Sequence, residues 1–218
     1  MSRPPRTSAL IAGALIFCAC ASSASRRWRE QDYPGTLQPA STLATDMLLQ
    51  QRVTATWGED GQRGFDAAIQ KQGDTLTVIG ISPMGSVGFA MILRGITVEL
   101  RNDTMQDLPF PPRFILLDVQ RTFYPWLGPG PSDGTREGNV FGEHVHETWS
   151  HGRLVERRFQ RLDGQPKGDI VITYVWTDEP ADRLAPRQCV LHNGWFGYRL
   201  SIDTHAESRL PPPQQPGQ

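Results

Sequence analysis

The sequence predicts a mainly β protein, an antiparallel sheet of about nine to eleven strands interrupted once by an amphipathic helix. Three observations support this fold class. Apolar and polar residues alternate strictly in a succession of short segments, short glycine-containing turns join the segments, and one proline-led segment has helical spacing instead. Strict alternation between short turns is typical of a sequential meander with one buried face.

Five strands are predicted before the helix. Their apolar positions lie within residues 53–57, 65–69, 76–81, 87–93 and 96–100. Ahead of them we expect a short helix, capped by Ser41 or Thr42 and presenting Leu43, Met47 and Leu48 on one face.

The turn between the third and fourth predicted strands carries an unusual residue at its tip. Pro83 presets φ for the second position of a β-turn, and Gly85 can adopt a positive φ. Met84 lies between them and should therefore project from the hairpin. An apolar tip either packs against the body of the protein or contacts something apolar, and the turn by itself leaves both readings open.

The predicted helix begins at Pro111 and Pro112, which suit a helix start, and ends before Pro125. Phe114 and Leu117 lie along one side of it. The segment is therefore predicted to pack an aromatic edge against the sheet.

Residues 128–138 are rich in Gly, Pro and Asp without an apolar pattern, so they are predicted as a loop. Strands then resume, with the following residues expected on the buried face: Val145, Trp149, Val155, Phe159, Ile170, Ile172, Tyr174 and Trp176. A final hairpin over residues 189–202 is indicated by the turn signal Asn193-Gly194.

The amino-acid composition argues against one class of binding partner. The chain has 218 residues, is 38% hydrophobic and has a formal net charge of -1. This fits one globular domain with flexible ends, and it argues against a partner nucleic acid bound by phosphate neutralisation.

The N-terminus has the pattern of a signal peptide. Arg3 and Arg6 precede an apolar run over residues 9–17, which is too short to span a bilayer well. Cys20, preceded by Ala19, resembles the lipobox cysteine of bacterial lipoproteins and is the predicted lipidation site. An ordinary cleaved signal ending in Ala is the alternative.

The predicted organisation is a signal peptide over 1–19, a lipidated tether over 20–41, a domain over 42–204 and a disordered proline-rich tail over 205–218. Cys189 is then the remaining thiol, and it is predicted to be a buried small hydrophobe, so no internal disulfide is expected.

No pattern of catalysis stands out. His144 and His146 share one face of a strand, as a chelating pair would, but no third ligand has a fixed spacing to them. The sequence contains no Gly-rich phosphate loop and no paired carboxylate in an apolar setting; Asp66 falls on the polar face by alternation. We therefore predict a non-enzyme without metal or cofactor.

Apolar and aromatic side chains are abundant on the inward face. A curved sheet over a helix can enclose an apolar ligand, or its interior can simply be filled. The candidate cavity residues are Trp57, Phe65, Phe89, Met91, Phe114, Leu117, Trp149, Phe159, Tyr174 and Trp176.

At this point the order of motifs resembles a known group, the LolB-type outer-membrane lipoproteins and their periplasmic relative LolA. The turn at residues 82–86 is similar to the Pro-Leu-Gly-Ser turn of LolB, and residues 108–111 are similar to the start of its proline-led helix. An uncharacterised LolB-like lipoprotein family is more similar still, through residues 51–54, 65–67, 76–85, 117–120 with 124–125, and 197–200. The resemblance spans residues 43 to 203.

This resemblance implies a LolA/LolB-like antiparallel half-barrel of about eleven strands, closed by helices over an apolar cavity that holds acyl chains. Met84 occupies the position of the exposed leucine with which LolB inserts cargo into the membrane. Members of the LolB-like family often accompany aryl-polyene biosynthesis genes. The implied partners are therefore lipid, lipoprotein acyl chains or aryl-polyene-like cargo, with a LolA-like periplasmic carrier as a further partner.

The predicted function is that of a lipid-anchored protein on the periplasmic face of the outer membrane, in keeping with Ala21 after the lipobox cysteine. It would bind an acylated or polyene-like molecule and help insert it. The alternative is a non-catalytic assembly lipoprotein with a filled core that binds partner proteins. A hydrolase or transferase acting on the lipid is a remote third reading, since no nucleophile–base arrangement supports it.

Overall fold

The structure is a computed structural model that describes residues 29, 32–59, 61–81, 85–102, 111–128, 130–177 and 183–212. In these segments it has eleven strands and one α-helix, α1 (Pro112–Phe123), with a 3₁₀ turn at Ala40–Thr42. The strands are β1 (Met47–Trp57), β2 (Gly61–Gln72), β3 (Thr75–Ile81), β4 (Val87–Arg94), β5 (Thr97–Asn102), β6 (Gly134–Val140), β7 (Glu143–Ser150), β8 (Arg153–Arg161), β9 (Asp169–Val175), β10 (Gln188–Asn193) and β11 (Tyr198–Arg209). The predicted mainly β fold is confirmed.

All eleven strands form one antiparallel sheet in the order β5-β4-β3-β2-β1-β11-β10-β9-β8-β7-β6. Two meanders, β1–β5 and β6–β11, thus join at the centre of the sheet, where β1 pairs with β11 along its whole length. The connection from β5 to β6 contains α1 and runs from one outer edge of the sheet to the other. Side chains of α1 pack against residues of both meanders, so the sheet curves around the helix, and the face toward α1 is called the concave face.

The registers place the hairpin turns at two opposite ends of the sheet. The upper rim carries the turns that follow β1, β3, β6, β8 and β10, and the lower rim carries those that follow β2, β4, β7 and β9. Trp57 and Val87 therefore belong to the upper rim, whereas Ile96 and Val175 belong to the lower rim.

The helix prediction for the middle of the chain is confirmed. Pro112 occupies the first helical turn after Pro111, where the missing N–H costs nothing. Tyr124 is extended at the C-terminal end because Pro125 disfavours helical geometry in the residue before it.

The helix predicted from Ser41 or Thr42 through Leu43, Met47 and Leu48 is wrong. Only the 3₁₀ turn Ala40–Thr42 forms there, and Met47 is the first residue of β1. Residues 47–57 pair with β2 on one side and β11 on the other, so hydrogen bonding from two neighbours overrides the helical spacing.

Three further predictions need correction. Residues 134–138, predicted as part of a loop, belong to the edge strand β6, which has little apolar content because few of its side chains are buried. Val155 is not the buried residue that begins β8. A register shift after Thr148 places Leu154 opposite Trp149 and buries it instead. The third correction concerns the C-terminal stretch. Strand β11 continues to Arg209 and so includes the first residues of the predicted tail, 205–218.

The concave side holds two hydrophobic clusters. One lies mainly on β7–β11 and includes Phe114, Phe159 and Trp195. The other lies on β1–β4 and includes Leu76, Met91 and Leu93, packed against Leu116 of α1.

Candidate functional site: the concave face under α1

The predicted cavity residues are distributed over both clusters. Phe114, Leu117, Phe159 and Tyr174 are buried in the β7–β11 cluster, with Phe65, Trp149 and Trp176 half-buried against it. Met91 is buried in the β1–β4 cluster, with Phe89 half-buried beside it. Trp57 belongs to neither and is 37% exposed at the upper rim. Nine of the ten therefore share the concave side that α1 covers.

Phe65 and Phe89 form the less covered part of this wall. Their ring centroids lie 6.4 Å apart in an edge-to-face arrangement. The Phe89 ring lies over Gly80, where a Cβ atom would come within 2.2 Å of the ring. The absence of a side chain at Gly80 therefore leaves the space that the ring occupies.

The first buried ion pair fixes α1 to β7. Arg121 Nη2 lies 2.7 Å from Glu143 Oε1, and both side chains are fully buried. The same nitrogen donates to the carbonyl of Pro34 at 2.9 Å. The guanidinium carbon also lies 4.7 Å from the ring centroid of Tyr33 and 5.1 Å from that of Trp195, which is cation–π geometry.

Backbone approaches Arg121 closely at Gly35. A Cβ atom there would lie 2.6 Å from Arg121 Nη2, and Gly35 has a φ of 128°, which disfavours other residues. Arg121 Nη1 is buried without a hydrogen-bond partner among the described residues.

A second buried ion pair holds the end of the helix. Arg157 on β8 pairs with Glu147 on β7 at 2.8 Å. Its Nη1 atom donates to the carbonyls of Arg121 and Tyr124, at 2.7 and 3.0 Å. A buried cation thus satisfies helix C-terminal carbonyls, which otherwise lack partners.

Asp118 is the centre of a third polar group. Its carboxylate accepts hydrogen bonds from the hydroxyls of Tyr33 and Tyr198. Asn193 Nδ2 donates to both tyrosine oxygens at 2.8 Å. Burial raises the pKa of Asp118 to about 6, although both tyrosine hydrogen bonds and Arg121 act to lower it.

The segment before β1 lies against the helix. Gln120 Oε1 accepts from the Gln38 backbone N–H at 2.9 Å, and Gln120 Nε2 donates to the Gln38 carbonyl at 2.7 Å. Arg113 donates to the carbonyls of Tyr33 and Gly35. Residues 33–40 are therefore held by side chains of α1 in place of a neighbouring strand.

The sequence interpretation missed these polar groups. Glu143 and Glu147 alternate in phase with Val145, which the sequence did predict to be buried. A pair of acidic residues in the inward phase of one strand, with Arg157 in the inward phase of the next, was the available signal. Ion pairs across neighbouring strands are what make such burial tolerable.

The two histidines lie on the other face. His144 and His146, with Glu156, Arg158 and Gln160, line an open pocket of about 260 Å³ on the side away from α1. Within the described segments, no group of three or more His, Cys, Asp or Glu side chains could hold a metal ion. Asp66 is also on the outer face, 2.9 Å from Arg52.

Several predicted features lie outside the described residues, namely the signal peptide, Cys20 and Met84. Cys189 is buried, and burial raises the pKa of its thiol, in keeping with an unreactive core position. In the part of the chain that the structure describes, no helix is long and apolar enough to cross a membrane.

The protein is thus a curved antiparallel sheet with one helix over its concave face, and buried polar groups hold that helix to the sheet. Residues 48–206 match the family described as protein of unknown function (DUF3261), and the chain belongs to that family. No curated protein matches the sequence.

Three solved structures are similar at low identity. A LolA superfamily protein from Nitrosomonas europaea has a TM-score of 0.49 at 10% identity, over 82% of this chain and 96% of its own. A domain described as an outer membrane lipoprotein-sorting protein, from Vibrio parahaemolyticus, has a TM-score of 0.44 at 10% identity, over 83% and 94%. A DUF1329 family protein from Desulfovibrio piger has a TM-score of 0.31 at 13% identity, over 78% and 88%. These values are too low to transfer a ligand to this chain.

Proposed function

We propose that this protein is a non-catalytic envelope lipoprotein that holds an acylated or polyene-like molecule against the concave face under α1. One observation carries the proposal. An extensive apolar and aromatic wall is covered, in the described part of the chain, by a single twelve-residue helix and the segment before β1. A cargo chain can replace such a cover on the β1–β4 side while the buried ion pairs on the β7–β8 side keep the helix attached.

The energetics favour an apolar cargo. Each methylene removed from water contributes about 0.8 kcal/mol, so a sixteen-carbon chain offers roughly 12 kcal/mol of gross burial. That is enough to offset exposure of the few apolar side chains that α1 places on β1–β4. Phe65 and Phe89, half-buried on the concave wall, are the proposed first contacts for the chain.

The proposal includes delivery. Cys20 would carry the lipid that anchors the protein to the periplasmic face of the outer membrane, and a LolA-like carrier is the proposed donor. Met84 would contact the bilayer as cargo leaves. Met84→Glu should leave folding unchanged and impair cargo insertion into vesicles; unimpaired insertion would assign Met84 to ordinary surface composition.

The decisive experiment is cargo binding by the gently purified full-length protein. Native mass spectrometry should show co-purifying lipid, and a fluorescent fatty acid should bind saturably at micromolar concentration. Phe65→Ala combined with Phe89→Ala should weaken that binding about tenfold or more, because two aromatic contacts are lost. Ile96→Ala, which truncates an exposed residue of the lower rim, is the matched control and should bind normally.

A second candidate function has a specific observation in its favour. Phe114, Leu117 and Phe159 are 0–1% exposed, which is also what a filled core looks like. In that case the protein is an assembly lipoprotein whose surface binds partner proteins. Absence of co-purifying lipid together with no saturable probe binding would reject the carrier and favour this function.

A further inference from the structure

The upper rim carries exposed apolar side chains on four separate hairpin ends. Trp57, Val87, Phe141 and Leu162 are 37%, 45%, 50% and 54% exposed. Phe141 and Leu162 are neighbours, since the Leu162 N–H donates to the carbonyl of Gly142 at 3.1 Å. At the lower rim, Ile96 and Val175 are the exposed large apolar side chains of the described residues, and neither is aromatic.

Phe141 is held in an unfavourable backbone conformation. Phe141 and Gly142 form the two-residue turn between β6 and β7, with φ values of 52° and 79°. A turn with positive φ at both positions favours Asn-Gly, and a bulky residue there is strained. The same turn geometry recurs at the lower rim in His151 and Gly152, with φ values of 52° and 71°, where the side chain is polar.

The two turns have matching backbone conformations and differ in the side chain at their first position. Each turn is a tight two-residue connection, and each has an exposed first residue. A strained backbone at a phenylalanine whose side chain is half exposed indicates that this side chain contacts another molecule. Its buried half meets Trp126 edge-on, with ring centroids 6.1 Å apart.

The position of the N-terminal segment brings the proposed lipid anchor within reach of the upper rim. Tyr33 packs against Trp195 and Phe196 of the turn after β10, at ring centroid distances of 6.0 and 5.1 Å. The chain therefore enters the domain at the upper rim. Tyr33 lies thirteen positions after Cys20 in the sequence, a reach of at most about 45 Å.

We infer that the upper rim, with Phe141 and Leu162 as its principal contacts, lies against a phospholipid bilayer surface. Trp57 and Val87 extend the contact along the same rim. Aromatic residues prefer the interface between headgroups and acyl chains, and several shallow apolar contacts together orient a protein that one lipid anchor only tethers. The inference rests on the proposed function for the anchoring of Cys20, and it adds the orientation of the domain.

The test uses the full-length protein on vesicles of phosphatidylethanolamine and phosphatidylglycerol. Single cysteines at Phe141→Cys and Leu162→Cys carry an environment-sensitive dye, with Ile96→Cys and Val175→Cys as matched lower-rim controls. The chain without an added cysteine gives the background, and Cys189 is buried. Emission at the upper rim should shift to shorter wavelength and be quenched by brominated phospholipids several-fold more than at the lower rim. Equal or opposite responses would overturn the inference.

A second variant separates membrane contact from folding. Phe141→Asn combined with Leu162→Ser places a residue suited to positive φ in the turn, so the melting temperature should hardly change. In chains that also carry Cys20→Ser, which lack the lipid anchor, vesicle partitioning should fall about tenfold or more relative to Cys20→Ser alone, because two large apolar side chains no longer leave water. Unchanged partitioning would overturn the inference.

Fatty-acid binding in solution distinguishes this inference from the proposed function. The rim variants should bind the fluorescent fatty acid normally, because the concave wall is intact. Loss of rim contact with retained cargo binding rejects only the rim assignment. Rim contact in a protein that binds no cargo rejects only the carrier.

Discussion

The two halves of the concave face hold α1 in different ways. On the β7–β11 side, directional bonds add to the apolar packing of Phe114 and Leu117. Arg121 pairs with Glu143, and Arg157 is bound to the helix carbonyls. On β1–β4 the helix meets apolar side chains, with Leu116 packed among residues such as Leu93. Directional bonds specify one position, whereas apolar contacts accept any filler of suitable volume. The difference predicts that the helix can stay attached on one side while its contacts on the other are exchanged.

The largest expected effect comes from breaking the buried ion pair on the β7–β8 side. Arg121→Met should lower the free energy of unfolding by about 3–5 kcal/mol, because the charge of Glu143 remains buried without its partner. Urea denaturation measures the loss. The double variant Arg121→Met/Glu143→Leu should recover much of it, since no buried charge is then unpaired. A loss below about 1 kcal/mol in the single variant would mean that the pair does not fix the helix.

The next largest effect is expected from a change in the apolar contacts on the β1–β4 side. Leu93→Ala should cost about 3 kcal/mol through lost burial and a residual cavity. Unlike Arg121→Met, it should be partly offset by added fatty acid, since a cargo chain can fill the space left by the leucine. The control Ile96→Ala should cost under about 0.5 kcal/mol. If fatty acid restores both variants equally, the two halves do not differ in the way described.

The smallest effect concerns the pH dependence of the directional half. The folded-state pKa of Asp118 is raised to about 6, above its ordinary value of 3.8, so folding favours the protonated carboxyl. Its contribution to stability is fully present below about pH 4 and is lost as the pH rises through 6, on the order of 2–3 kcal/mol.

The variant Asp118→Asn removes this titration and so isolates it from that of other carboxyls. The stability of the unmodified protein relative to Asp118→Asn should fall between pH 4 and pH 6.5 and then stay level, as measured by urea denaturation at each pH. A difference that rises over this interval would show that hydrogen bonds from Tyr33 and Tyr198 outweigh burial.

Local sequence signals predicted much of the fold. Alternation located the strands of both meanders, and Pro112 and Pro125 located the helix, because these signals act within a few residues. Met47 was misassigned since its spacing suits a helix as well as a strand, and pairing with β2 and β11 decides between them. The β6 strand escaped notice because an edge strand with few buried side chains has little apolar pattern.

The apolar part of the candidate site was predictable, whereas the polar part gave only one weak signal, the alternation of Glu143 and Glu147 in phase with Val145. Phe114 and Leu117 could be assigned to the concave side from helical spacing, and Phe159 from alternation. Glu147 and Arg157 look like surface residues until the register of β7 and β8 brings them together. Asp118, similarly, becomes a buried acceptor only when Tyr33 and Tyr198, far away in the sequence, fold onto it.

The sheet order has one more consequence. Its two outermost strands, β5 and β6, are consecutive in the chain, and the connection between them contains α1. Any displacement of α1 therefore acts on a segment that is joined to both outer strands of the sheet.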